Sequence, residues 1–214
     1  MAQSDRPMDL EPRHVTEAAA WTIDVVHRVD DARWDVVDDG AWSTRRTVDH
    51  LVDVLVLYSS YVARRATGRL EPPRDGQPSA SRAHLTSALT STAAVFEQVL
   101  ASLAPKERAF HPSGSADRSG WIGMACTELL VHGADISRLA EVAVQPPEAL
   151  AAATVDRVLP WAPATGTGWQ RLLWATGRSP LAAMPAAGPD WWWQSAPLAE
   201  WDGRPRRRDT PPQW

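Results

Sequence analysis

The sequence is poor in several residue types, and each scarcity excludes a class of protein. Cys126 is the only cysteine among 214 residues, so no disulfide can form within the chain, which favours a reducing compartment. The longest apolar run, around residues 51–62, is too short to span a membrane and contains Asp53. The opening letters MAQSDRPMDLEPRH lack the apolar stretch of a signal peptide. We therefore expect a cytoplasmic protein rather than a secreted, membrane-inserted or cysteine-rich zinc protein.

The chain also lacks an excess of positive charge. Its 22 basic residues are outnumbered by 26 acidic ones, and the formal net charge is −4. Nothing therefore attracts the whole chain to nucleic acid or to an acidic membrane surface. The basic letters RPRRRD near the end are too short a run to indicate nucleic acid, and we interpret them as a solvated terminus. A small molecule is the expected partner, whereas the oligomeric state leaves no clear mark and a homodimer stays open.

Helical periodicity dominates the rest of the sequence. Apolar residues at three-four spacing predict helices over about 15–29, 44–65, 82–103 and 121–140, with Ser43 or Thr44 capping the second. Shorter helices are predicted over 147–159 and 169–176, and the Pro- and Trp-rich remainder is expected to be irregular, with a short strand at 191–194. We predict an all-α fold: a four-helix bundle domain over 1–145, and an extension over 146–214 that packs on it.

The segment CTELLVHGADIS, residues 126–137, carries the most informative side chains. Glu128 and His132 are four residues apart, so on a helix they lie on one face about one turn from each other. A carboxylate and an imidazole at that spacing can bind one metal ion together. The alternatives are a solvated ion pair and a hydrogen-bonded core histidine, both of which are common on helices.

A second histidine, His50, lies near the start of the second predicted helix on a partly apolar face. An unpaired buried imidazole is costly, so His50 needs a partner. One candidate is a carboxylate such as Asp24 on a neighbouring helix. The other brings His50 to Glu128 and His132 across the bundle, and three protein ligands would leave the open coordination position that is typical of catalytic zinc.

These motifs together resemble a known family. The letters WSTRRTVDHL, followed downstream by ELLVHGADIS and RLLWATGR, are similar to the mycothiol-dependent maleylpyruvate isomerase group of the DinB-like four-helix superfamily, over roughly residues 14–178. The resemblance implies a divalent metal, usually zinc, held by His50, Glu128 and His132. It also implies a small thiol such as mycothiol as cosubstrate, for isomerisation or S-transfer on an electrophilic small molecule.

Two other functions stay open. Related members act in specialised-metabolite pathways, which suggests metal chemistry without a thiol, and a non-catalytic bundle that binds a small molecule is the third hypothesis. No catalytic side chain is assigned beyond the metal ligands. Asp135, seven residues after Glu128, is expected either to orient a ligand imidazole from behind or to pair with Arg138.

The remaining candidates are weaker. Cys126 is predicted to face away from the site and to be buried. Four further histidines stand beside loops or in exposed-looking positions and receive no role, namely His14, His27, His84 and His111. The run Trp191–Trp193 either lines a pocket or covers the bundle, with burial favoured. The loop over 104–120 is expected to help shape the substrate pocket.

Overall fold

The predicted apolar stripes form helices that pack against one another. The computed structural model of the protein describes residues 8–37 and 42–208. Its helices are α1 (Arg13–His27), α2 (Thr44–Ala63), α3 (Arg82–Ala101), α4 (Arg118–Ala140), α5 (Glu148–Val158) and α6 (Gly168–Ala175). The all-α prediction is confirmed, and α4 begins three residues earlier than predicted because Asp117 caps it through the Gly120 N–H.

Side-chain caps set the starts of most helices. The Ser43 side chain accepts from the Arg46 N–H at the start of α2, and Ser81 accepts from the His84 N–H at the start of α3. Thr167 and Gln170 form a reciprocal capping box at the start of α6. Of the two cap residues predicted for α2, Ser43 is therefore the one used.

The bundle core lies between α1, α2, α3 and α4. Almost all of the largest fully buried side chains come from α2, α3 and α4, among them Leu51, Leu55, Phe96 and Trp121. None of the helices in the described ranges is long and apolar enough to cross a membrane.

Two glycines let α4 approach its neighbours closely. A Cβ at Gly133 would collide with the ring of Trp21 on α1, and a Cβ at Gly123 would collide with the Val158 side chain at the end of α5. The backbone of α4 therefore lies directly against α1 at Gly133 and against α5 at Gly123.

Two regions differ from the predicted structure. Strands β1 (Ala109–His111) and β2 (Gly114–Ala116) form an antiparallel hairpin inside the segment expected to be a loop. The strand expected at 191–194 is reduced to a single antiparallel bridge between Trp191 and Arg207. Around that bridge, the Trp192 N–H donates to the Arg206 carbonyl oxygen at 2.9 Å.

A buried arginine ties the irregular C-terminal segment to the bundle. Arg157 on α5 donates to the carboxylate of Asp117, which caps α4, and to the hydroxyl of Ser119. The same guanidinium donates to the carbonyl oxygens of Gln194 and Ser195. One side chain thus joins the start of α4, α5 and the C-terminal segment.

Candidate metal centre

The structure brings His50, Glu128 and His132 together. One ligand atom from each of these residues can be chosen so that all lie within 4.8 Å of one another. The Glu128 Oε2 atom is 3.3 Å from His132 Nε2 and 3.8 Å from His50 Nε2. The three side chains are between 12% and 18% exposed, so the cluster is largely sheltered but open to a ligand.

Packing of α2 against α4 creates this cluster. Glu128, His132 and Asp135 follow one another at four- and three-residue steps along the face of α4 that points to the cavity. His50 enters from the first half of α2, with the buried residues Val54 and Tyr61 further along that helix. Asp24, the alternative partner considered for His50, instead pairs with Arg28 on an exposed face of α1.

Asp135 holds His132 from the far side of the ring. Its Oδ2 atom is 3.3 Å from His132 Nδ1, and the Arg178 guanidinium contacts the same carboxylate at 3.0 Å and 3.3 Å. The alternative pairing with Arg138 does not occur, since Arg138 lies exposed at the pocket rim. Burial favours the neutral acid, but hydrogen bonds from His132 and Arg178 outweigh it and lower the pKa of Asp135 to about 2.

Burial and ion pairing also have opposite effects on the pKa values of Glu128 and His132. Burial would raise the pKa of Glu128, yet the hydrogen bonds and charges of His132 and His50 hold it well below its usual range. Burial would lower the pKa of His132, yet Asp135 and Glu128 raise it to about 9. In the absence of a metal the cluster therefore contains a carboxylate beside an imidazolium.

The donor set suits a divalent transition metal. Two imidazoles and one carboxylate are ligands that zinc and its neighbours accept. Because the Asp135 carboxylate accepts a hydrogen bond from Nδ1 of His132, Nε2 is the atom left to face a metal once the ring is neutral. The residues present thus fit a three-ligand site.

A cavity of about 700 Å³ opens over the cluster. We call its two sides the helical wall, formed by His50, Glu128, His132 and Asp135, and the C-terminal wall, formed by residues of the 176–208 segment. The C-terminal wall presents Thr176, Gly177, Arg178, Ala187, Pro189, Trp191, Trp193 and Arg208. At the mouth, the Trp42 ring stacks on His132 at 6.3 Å and contacts the His50 ring edgewise at 4.9 Å.

Several sequence predictions need correction here. His14 is fully buried, and so is most of His111, although both were interpreted as lying beside loops or at exposed-looking positions. The segment 104–120 contributes no lining residue to the described cavity; instead its hairpin places His111 behind Trp193, at 5.6 Å between ring centroids. Cys126 is buried, as predicted, and its thiol donates to the His14 carbonyl oxygen.

Three cavity residues were missed as functional candidates. Arg178 lies in the RLLWATGR motif, which was noted only for its resemblance, and Arg208 lies in the run interpreted as a solvated terminus. Trp42 stands just before the cap of α2 and opens the WSTRRTVDHL motif, which was likewise noted only for its resemblance. The alternatives for the tryptophan run prove compatible, because Trp193 is buried and also lines the cavity with Trp191.

A helical bundle with a candidate metal site is the class of protein that these observations define. The family model described as the DinB superfamily matches residues 14–136, more than half of the chain. The protein therefore belongs to the DinB superfamily. No curated protein matches the sequence significantly.

Proposed function

We propose that the protein is a zinc-dependent enzyme that activates a small thiol, such as mycothiol, for isomerisation or S-transfer on an electrophilic small molecule. The observation that carries this proposal is the His50–Glu128–His132 cluster, whose ligand atoms converge within 4.8 Å at the base of the 700 Å³ cavity. Only three side chains converge among the described residues, so a metal held there would have a coordination position left for an exogenous ligand.

The chemistry divides between the metal and the protein. When bound, zinc supplies Lewis acidity that lowers the pKa of a coordinated thiol or water. His50, Glu128 and His132 would hold the ion, and Asp135 fixes the orientation of the His132 ring. Trp42 covers the histidine rings from the solvent side, which limits the access of water to the cluster.

Metal content tests the first part of the proposal. We expect about one zinc per chain in untagged wild-type protein by plasma mass spectrometry, and loss of that zinc in His132→Ala. His84→Ala, which changes an exposed histidine on α3, is the matched control and should retain the metal. A folded wild-type protein that remains metal-free after incubation with zinc would overturn the proposal.

Thiol binding tests the second part. In cobalt-substituted protein we expect mycothiol to produce a new near-ultraviolet absorption band, and its S-methyl derivative to produce none, because only a free thiol can ionise at the metal. The band should be absent from His132→Ala. A metal-loaded wild-type protein that gives no band would favour the thiol-independent function, in which the metal acts on a substrate oxygen.

A further inference from the structure

The end of α6 fixes the backbone of Arg178. The Arg178 N–H donates to the Leu173 carbonyl oxygen at 2.8 Å. One residue earlier, the Gly177 N–H donates to the Trp174 carbonyl oxygen at 3.1 Å, and Gly177 has a positive φ of 78°. This is the Schellman motif that closes many helices, and a Cβ at Gly177 would also lie 3.0 Å from the Ala187 carbonyl oxygen. Arg178 therefore leaves α6 from a closely defined backbone position.

Each nitrogen atom of the Arg178 guanidinium has a partner in the protein. Nε lies 3.3 Å from Oδ1 of Asp135, and Nη2 lies 3.0 Å from Oδ2 of the same carboxylate. The remaining nitrogen, Nη1, donates to the Thr176 carbonyl oxygen at 2.7 Å. Two parallel contacts with one carboxylate fix its plane as well as its position. The arrangement therefore holds Asp135 in one orientation and leaves no guanidinium nitrogen without a protein partner.

The same carboxylate contacts a candidate metal ligand. Its Oδ2 atom, which Arg178 holds, is 3.3 Å from Nδ1 of His132, while Nε2 of that ring faces Glu128. A partner at the outer nitrogen of a ligating imidazole sets the ring orientation and so influences metal affinity. The Asp135 side chain is 27% exposed, so in the absence of Arg178 it would have room to turn toward water. A continuous series of contacts thus runs from the end of α6 through Asp135 to His132.

We propose that Arg178 is a positioning residue of the metal centre, which acts on a bound ion through Asp135 and His132. The C-terminal segment thereby contributes to zinc affinity, although none of its described residues belongs to the three candidate ligands. The inference rests on the metal-binding part of the proposed function and is independent of the thiol and of the substrate.

Zinc affinity tests the proposal, measured on the full chain by competition with a chromophoric chelator. We expect about fivefold weaker zinc binding by Arg178→Gln, because an amide supplies neither the charge nor the paired donors. Arg178→Lys should restore part of the affinity, since it keeps the charge. Gly177→Ala should also weaken zinc binding, because the added methyl group displaces the helix end that presents Arg178. Arg171→Gln, which removes the ion pair between α6 and Asp156 outside the cavity, is the matched control and should bind zinc like wild type.

A double-mutant cycle separates positioning from a general structural role. If Arg178 acts through Asp135, Arg178→Gln should weaken zinc binding no further in a chain that already carries Asp135→Asn. Fully additive losses, unchanged or tighter zinc binding by Arg178→Gln, or an equal loss in Arg171→Gln would each overturn the role of Arg178. Thermal unfolding of the metal-free variants measures any general loss of stability.

The outcomes also distinguish this proposal from the proposed function. A wild-type protein that binds no zinc overturns both of them. A wild-type protein that binds zinc with the same affinity as Arg178→Gln overturns only the positioning role and leaves the His50–Glu128–His132 site in place.

Discussion

The two walls of the cavity are built in different ways. The helical wall projects its carboxylates and imidazoles from α2 and α4, where helix periodicity sets the spacing of Glu128, His132 and Asp135. The C-terminal wall comes from a segment whose regular structure is limited to two isolated bridges, Leu181–Met184 and Trp191–Arg207, and one short 3-10 helix, Leu198–Glu200. Its lining side chains are placed by individual hydrogen bonds and aromatic contacts.

This difference separates two tasks. Groups that share one metal ion must keep their relative positions closely, and regular helices provide that precision. Groups that recognise the rest of a substrate can stand on irregular chain, which accepts sequence change more readily. The Asp135–Arg178 pair joins the two walls directly. Outside the cavity, Arg157 joins the start of α4 to the C-terminal segment.

The largest expected effect comes from separating the walls. Arg157→Ala should lower the free energy of unfolding by about 3 kcal/mol, because the largely buried Asp117 carboxylate loses its charged partner and the carbonyl oxygens of Gln194 and Ser195 lose their donor. Urea unfolding of the metal-free protein measures the change. Arg28→Ala removes an exposed partner of Asp24 and should cost no more than about 0.5 kcal/mol. Similar losses of unfolding free energy in the two variants would show that the contacts of Arg157 stabilise the protein no more than an exposed ion pair does.

The free energy of unfolding should depend on pH through His111, which packs against Trp193 of the C-terminal wall. Burial lowers the pKa of His111 to about 3, against 6.5 for an ordinary histidine. Between these two pH values the His111 imidazole is therefore protonated in the unfolded chain but neutral in the folded protein. Stability from this group is full above pH 6.5 and falls as the pH drops toward 3. At about pH 5 the loss is about 2 kcal/mol.

Replacing the imidazole tests this pH dependence. His111→Gln should remove that component of the pH dependence, measured by urea unfolding at about pH 7.5 and about pH 5. His84→Gln changes an exposed histidine and should retain the wild-type dependence. The assignment to His111 fails if both variants lose stability equally on acidification.

A smaller effect is expected where the walls touch through Asp135. Asp135→Asn should weaken zinc binding about tenfold, because the amide holds the His132 ring less firmly and adds no negative charge. Competition with a chromophoric chelator measures the affinity. Asp156→Asn alters another aspartate–arginine pair, with Arg171, outside the cavity and should leave zinc affinity unchanged. Unchanged affinity in Asp135→Asn would mean that Asp135 serves only Arg178.

The sequence predicted the helical wall better than the C-terminal wall, for a physical reason. A period of 3.6 residues places Glu128 and His132 on one face before any fold is known. The contact of His50 with these residues is a tertiary contact, which helix periodicity cannot predict. The sequence indicated it only because His50 is a polar residue on a partly apolar face. Arg208 and the β1–β2 hairpin have no period to detect, since each depends on a few local hydrogen bonds.

The geometry of the metal site depends on residues other than the metal ligands, and distant relatives with the same site should share them. Gly123 and Gly133 place the backbone of α4 directly against α5 and α1. A larger residue at either position would displace or rotate the whole helix, together with Glu128 and His132. Homologues that keep the three ligands should therefore also keep very small residues at these two positions, whereas the cavity mouth near Trp42 is free to diversify with the substrate.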